Sequence, residues 1–204
     1  MGRVSDAKAR LMKGVLELIW TGSYGATTVD LICQKSNVRK GSFYYFFDSK
    51  ADLAAAALAS DWETRRAALD AVFSPTIPPL ERIREFCAFA HKKQAAVQKE
   101  CGCVLGCPMF TLGAEVCLQE PKLRKSIQNI LGSYLKYLET AIRDANASGA
   151  LRQPDPAKAA RMVFAYYEGL LTQARIQNDA GVLREMPEAV FAMLGAAPKQ
   201  RAAA

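Results

Sequence analysis

Between Asn37 and Lys50 the chain reads NVRKGSFYYFFDSK. Arg39, Lys40 and Lys50 supply positive charge, Ser42, Tyr44 and Tyr45 supply hydroxyls, and Phe43, Phe46 and Phe47 supply apolar rings. Cations neutralise phosphates, and hydroxyls bond phosphate oxygens or base edges, so this mixture suits duplex nucleic acid. A second segment, CGCVLGC, places Cys101, Cys103 and Cys107 in a C-x-C-x3-C spacing, with Cys117 further on. Such thiols can react with electrophiles or oxidants, bind a soft metal such as copper(I) or zinc, or line an apolar pocket as small residues. The spacing is not that of a zinc finger, and the chain holds one histidine, His91. No metal site and no cofactor are therefore expected.

Catalysis by a cysteine needs a neighbouring base, and one histidine is a thin supply. No glycine-rich phosphate loop, paired-carboxylate constellation or zinc-hydrolase motif is present. The chain reads as a non-enzyme, with a cysteine-dependent enzyme as the minor alternative. Its net charge is +7, and residues 1–50 hold eight Lys/Arg against four Asp/Glu, so over half of the excess lies in the first quarter. That suggests a polyanion partner; a solvated basic surface is the alternative. At 204 residues one or two domains are expected. No apolar run reaches the roughly 18 residues that span a bilayer, and no signal-peptide core is visible, so a cytoplasmic protein without a membrane partner is expected. Cys33 and Cys87 stand singly on apolar helical faces, as small core residues do.

These groups must be held by helices, because the chain has helical periodicity throughout and no strand alternation. Leu11, Val15, Leu18 and Ile19 mark a first helix over 5–20. Thr28 caps a short second one, and another short helix runs from Lys40 to Phe46. Ser49, with Asp52 three residues on, opens the next. Pro79 starts a helix to about Lys99, and Pro108 starts one to about Glu120. Long helices follow at residues 121–147, ended by Gly149, and at 155–179, opened by Asp155 and Pro156. A short one near Pro187–Leu194 precedes a tail at 197–204. The fold class is all-α.

Two short helices over 28–46 joined by a tight turn make a helix-turn-helix, whose second helix enters the major groove. Asn37 falls where the turn needs a left-handed residue. Phe43 and Phe47, four apart, share an inner face with Leu11, Val15, Ile32 and Val38. Arg39, Lys40, Ser42, Tyr44 and Tyr45 are left outside, and Lys50 suits a phosphate contact. Phe46 is open between the core and a thymine-methyl contact.

TTVDLICQKSNVRKGSFYYFFDSKADL resembles the DNA-binding signature of the tetracycline-repressor (TetR) family. The matching residues are Lys40, Gly41, Ser42, Phe43, Tyr44, Phe47, Ser49, Lys50 and Leu53. The chain departs from the family pattern at Asn37, where Gly is usual, at Arg39, where a capping Ser is usual, and at Asp48, where Pro is frequent. Residues 102–115, GCVLGCPMFTLGAE, resemble a Gly-Cys-Leu-Leu-Gly-Asn stretch in one subgroup, some members of which use the cysteine at the Cys103 position as a reactive switch.

The resemblance implies a helix-turn-helix DNA-binding domain at 1–50 and a helical effector-binding and dimerisation domain at 51–196. It implies a homodimer through residues 121–179 and a palindromic double-stranded DNA operator. It also implies repression relieved by a small molecule, an electrophile or an oxidant. Thr28, Arg39, Lys40, Ser42, Tyr44, Tyr45 and Lys50 are the expected DNA contacts. Cys103, Cys107, Phe110 and Tyr166 are the expected effector or sensor residues. An architectural DNA binder that takes no ligand is the alternative.

Overall fold

The computed structural model describes residues 2–116 and 118–196. Cys117 and the tail at 197–204 lie outside the described residues. Among the described residues there are nine α-helices, one 3-10 turn and no strand, so the protein is all-α. They cluster into two compact units. One takes the residues up to Arg66 with Pro108–Leu131, and the other takes Ala67–Cys107 with those from Gly132 on.

In the first unit α1 (Gly2–Thr21) packs on α2 (Val29–Ser36), α3 (Lys40–Phe46) and α6 (Pro108–Val116). Leu11, Val15, Ile19, Ile32 and Phe43 are buried, on the faces that their spacing marks out. Gly14 brings α1 close to α2: a Cβ there would stand 2.3 Å from Ser36 Oγ. Thr28 caps α2 by accepting from Leu31 N–H, and Asn37 ends it at φ 50°, ψ 51°. The Ser49 hydroxyl donates to the Asp52 carboxylate, and Asp52 N–H donates back, opening α4 (Lys50–Val72). α6 stops at Val116, short of the expected Glu120; its inner face is Met109, Leu112 and Val116.

The second unit holds α5 (Pro79–Cys101), α8 (Pro156–Gln177), a 3-10 turn (Ala180–Leu183) and α9 (Met186–Met193), together with parts of α4 and of α7 (Pro121–Ala147). α5 and α8 both pack on the turn and on α9. Asp155 caps α8 by accepting from Lys158 N–H at 2.9 Å, and Asn178, at φ 50°, ends it two residues before the turn. The apolar positions that mark out α7 and α8, such as Leu138, Ile142, Val163 and Ala174, are buried within the chain itself.

Candidate nucleic-acid interface

α3 separates its aromatic residues by face. Phe43 is fully buried and Phe47, just past the helix, is 6% exposed, whereas Tyr44 and Tyr45 are 54% and 76% exposed. The rings of Phe43 and Phe47 lie 6.2 Å apart behind the helix and brace it. Phe46 is half-buried, its ring edge-on to Tyr45 at 4.9 Å. Arg39 and Lys40 are exposed at the start of the helix, with Ser42 half-buried beside them. Arg39 makes no side-chain cap, so its guanidinium is not spent on the helix end. An open groove of about 780 Å³ runs past Arg10, Asn37, Arg39, Ser42 and Tyr45. Gly41 borders it, and a Cβ there would meet nothing within 4 Å. The groove is therefore open to a backbone approaching from outside.

The turn before α3 is fixed from α1. Arg10 Nη1 donates to the carbonyls of Ser36 and Asn37, both at 3.0 Å. Lys40 Nζ stands 2.8 Å from Asp30 Oδ1, and that hydrogen bond holds the lysine's pKa above its usual value. Thr28 is exposed at the start of α2. Lys50 is engaged inside the unit: its Nζ donates to the Tyr24 carbonyl at 2.7 Å and lies 3.9 Å from that ring's centroid. Burial lowers its pKa, and Glu120 and Glu115 act against that. Five of the seven expected DNA contacts thus lie on α3 or at Arg39 just before it, Thr28 lies at the N-terminal end of α2, and Lys50 is tied to Tyr24.

The expected sensor residues are spread more widely. Cys103 and Cys107 are half-buried in the loop 102–107 of the second unit, and Cys107 immediately precedes α6. Gly102 and Gly106 take positive φ, and a Cβ on Gly106 would approach the Leu171 carbonyl to 3.2 Å. The Gln94 carboxamide accepts from Leu105 and Gly106 N–H and donates to the Gly106 carbonyl, and Asn178 accepts from Val104 N–H. Cys101 is exposed and its pKa is raised, by desolvation first and then by Cys103 and Glu100. Burial pushes the Cys87 thiol up to about 12. Phe110 is exposed on the outer side of α6, because Met109 and Leu112 take its inner side; Tyr166 is half-buried on α8. Among the described residues no three His, Cys, Asp or Glu side chains are gathered so as to hold a metal ion.

Two family models match the chain. Residues 11–57 match "Bacterial regulatory proteins, tetR family", and residues 79–190 match "Tetracyclin repressor-like, C-terminal domain". The chain belongs to the TetR family. It is a transcription regulator with a helix-turn-helix DNA-binding domain and a C-terminal ligand-binding domain. This TetR-family chain is 29% identical over 175 residues to the transcriptional regulator AcuR of Cereibacter sphaeroides, covering 85% of this chain and 78% of that one. It is similar to a crystal structure of a regulatory protein TetR from Rhodobacter sphaeroides, with 26% identity, a TM-score of 0.82, and 92% and 98% of the two chains covered. The reduced form of NemR from E. coli shares the fold at 19% identity and a TM-score of 0.81, with 95% and 99% covered.

Four further polar side chains of this TetR-family regulator stand out in three dimensions. Asp30 pairs with Lys40. Glu115 on α6 accepts from the N–H groups of Tyr24 and Gly25. Gln94 organises the cysteine loop. Glu168 is buried in α8, where burial pushes its carboxyl up to about 7 and the Cys107 thiol, by hydrogen bonding to it, acts in the opposite direction. Glu168 has a signal in the sequence: it is the one charge between Arg161 and Arg175.

Proposed function

We propose that this regulator is a cytoplasmic, non-enzymatic repressor that binds a palindromic operator as a homodimer and leaves it when an effector occupies its C-terminal part. The observation that carries this reading is the division of α3, with Phe43 and Phe47 inside and Arg39, Lys40, Tyr44 and Tyr45 outside. Cations and phenols on one exposed face match the phosphates and base edges of a major groove. Residues 1–50 do the reading, and residues 51–196 bind the effector and dimerise. Lys50 joins the contacts by letting go of Tyr24.

The homodimer uses residues 121–179. With the main apolar stripes of α7 and α8 already buried, the mating surface within that span includes the outer face of α8. Met162 and Ile176 there are 48% and 78% exposed, and Gly169 between them has open space beside it. Two-fold symmetry then calls for half-sites about one helical turn apart. An effector releases DNA only by favouring the arrangement that cannot span both half-sites. Cys103 and Cys107, with Phe110 and Tyr166, are the sensor candidates, and the likeness of GCVLGC to the cysteine-bearing subgroup supports an electrophile or oxidant as signal.

Footprinting of the purified protein on genomic DNA, followed by anisotropy titrations on the protected palindrome and a scrambled duplex, tests the reading. The palindrome is expected to bind at least a hundredfold tighter, with two protomers per site. Equal affinity for both duplexes replaces the repressor with an architectural binder.

A further inference from the structure

The inference here rests on the reading that the C-terminal part binds an effector, and it names the polar anchor of that site. Glu168 lies in the run MVFAYYEGLL, is 2% exposed, and leaves its Oε2 without a hydrogen-bond partner. Native interiors hold few unmet polar atoms, and a buried carboxylate is among the costliest. The other buried polar side chains of this unit are satisfied: Arg82 donates to the Ile77 and Pro75 carbonyls and to Asp144, and Gln94 bonds the loop 105–106. The influences on the Glu168 carboxyl are burial and the Cys107 thiol, with no lysine or arginine among them.

The surroundings are aromatic. Phe86, Tyr167, Phe164 and Tyr134 make a closed circuit of ring contacts, with successive centroids 4.5, 6.1, 5.8 and 6.3 Å apart. Tyr167 is within electrostatic reach of Glu168, Tyr134 and Cys107. Tyr134 and Cys107 each keep part of their surface in solvent, so the cluster is reachable. All these residues belong to the second unit.

We propose that Glu168 anchors the effector site and that its missing partner is a cationic N–H donor carried on a flat apolar molecule, an aromatic amine. A cation cancels the buried charge, which a neutral donor cannot, and aromatic faces attract cations. The flat body packs on the rings.

Titration calorimetry of the full-length protein with tryptamine, tryptophol and indole-3-acetate compares a cation, a neutral alcohol and an anion on one ring system. The wild type is expected to bind tryptamine at least tenfold tighter than tryptophol, with indole-3-acetate weakest. Glu168→Gln, nearly isosteric, is expected to bring the first ratio to about one while leaving tryptophol binding as it was. Phe164→Leu is expected to weaken both ligands alike. The proposal is overturned by equal wild-type affinities, by an amine preference that survives in Glu168→Gln, or by no binding of any of the three. The first two outcomes would leave Oε2 to a bridging water. Tryptamine binding that does not release operator DNA supports this site and counts against the repressor reading. Operator release by other compounds without an amine preference does the reverse.

Discussion

Lys40 Nζ lies 2.8 Å from Asp30 Oδ1, so a cation of the reading helix is already paired inside its own unit before DNA arrives. Both side chains are mostly solvated, at 54% and 74% exposure, so water and salt screen the pair and it is weak. In the proposed complex a phosphate must compete with Asp30 for the ammonium. Asp30→Asn is expected to tighten binding to duplexes of any sequence by about two- to fivefold. Lys40→Ala is expected to weaken binding and to lower the slope of log affinity against log salt by about one. Anisotropy titrations across a salt series measure both. Weaker binding by Asp30→Asn would assign Asp30 to holding Lys40 in place rather than restraining it.

The loop between α1 and α2 is tied to α6 through Glu115. Its carboxylate accepts from Tyr24 N–H at 2.9 Å and from Gly25 N–H at 2.7 Å, while the Tyr24 hydroxyl donates to Glu120 at 2.8 Å. Burial and that acidic partner hold the Tyr24 phenol well above its ordinary pKa. Glu115→Ala is expected to cost about 1–2 kcal/mol, since it removes two hydrogen bonds to a charged group that is itself partly solvated. Amide exchange at Tyr24 and Gly25 should quicken more than exchange in the buried turns of α1. Uniform quickening throughout the unit would mean that Glu115 supports global stability and not this loop.

Gly14 is required by the approach of α1 to α2. An added Cβ would stand 2.3 Å from Ser36 Oγ and 3.6 Å from Ser36 Cβ, so the clash is with the hydroxyl alone. That hydroxyl is buried and has no partner, so it contributes little by staying. Gly14→Ala is expected to destabilise by about 1–3 kcal/mol. Ser36→Ala alone is expected to be neutral or slightly stabilising, and the double variant to regain most of the loss. Urea melts of the four proteins close the cycle, and a double variant no better than Gly14→Ala would place the obstruction elsewhere.

The sequence was most informative where a residue acts on its near neighbours. Thr28 as a cap, Asn37 in the left-handed region, the Ser49–Asp52 box and the inward turn of Phe43 and Phe47 all follow from local geometry. Periodicity also found α7 and α8, but it cannot say what covers an apolar stripe, and most of theirs is covered by the chain itself. The 3-10 turn Ala180–Leu183 went unseen because it is defined by Asn178 ending α8 and Asp179 capping the turn, with no repeat to betray it. The partners of Lys40, Lys50 and Cys107 come from distant stretches or from another helix, and a charge pattern read along one helix gives no sight of them.

Glu168 makes stability depend on pH in the direction opposite to that of a salt-bridged acid. Its carboxyl sits at about 7 in the fold against an ordinary 4.5. Below pH 4.5 both the folded and the unfolded chain hold the proton, and the residue costs nothing. Between 4.5 and about 7 the unfolded chain gives the proton up first, so stability falls as pH rises. Above 7 the loss is complete, on the order of 3 kcal/mol. Glu168→Gln does not titrate, so its advantage over the wild type should grow from near zero at pH 4.5 to that size at pH 8. The difference between the two proteins in urea melts at matched pH isolates this group from carboxylates such as Asp52, whose lowered pKa works the other way. An advantage that is constant across the range would show that glutamine changes packing and not charge, and that Glu168 does not carry a perturbed proton.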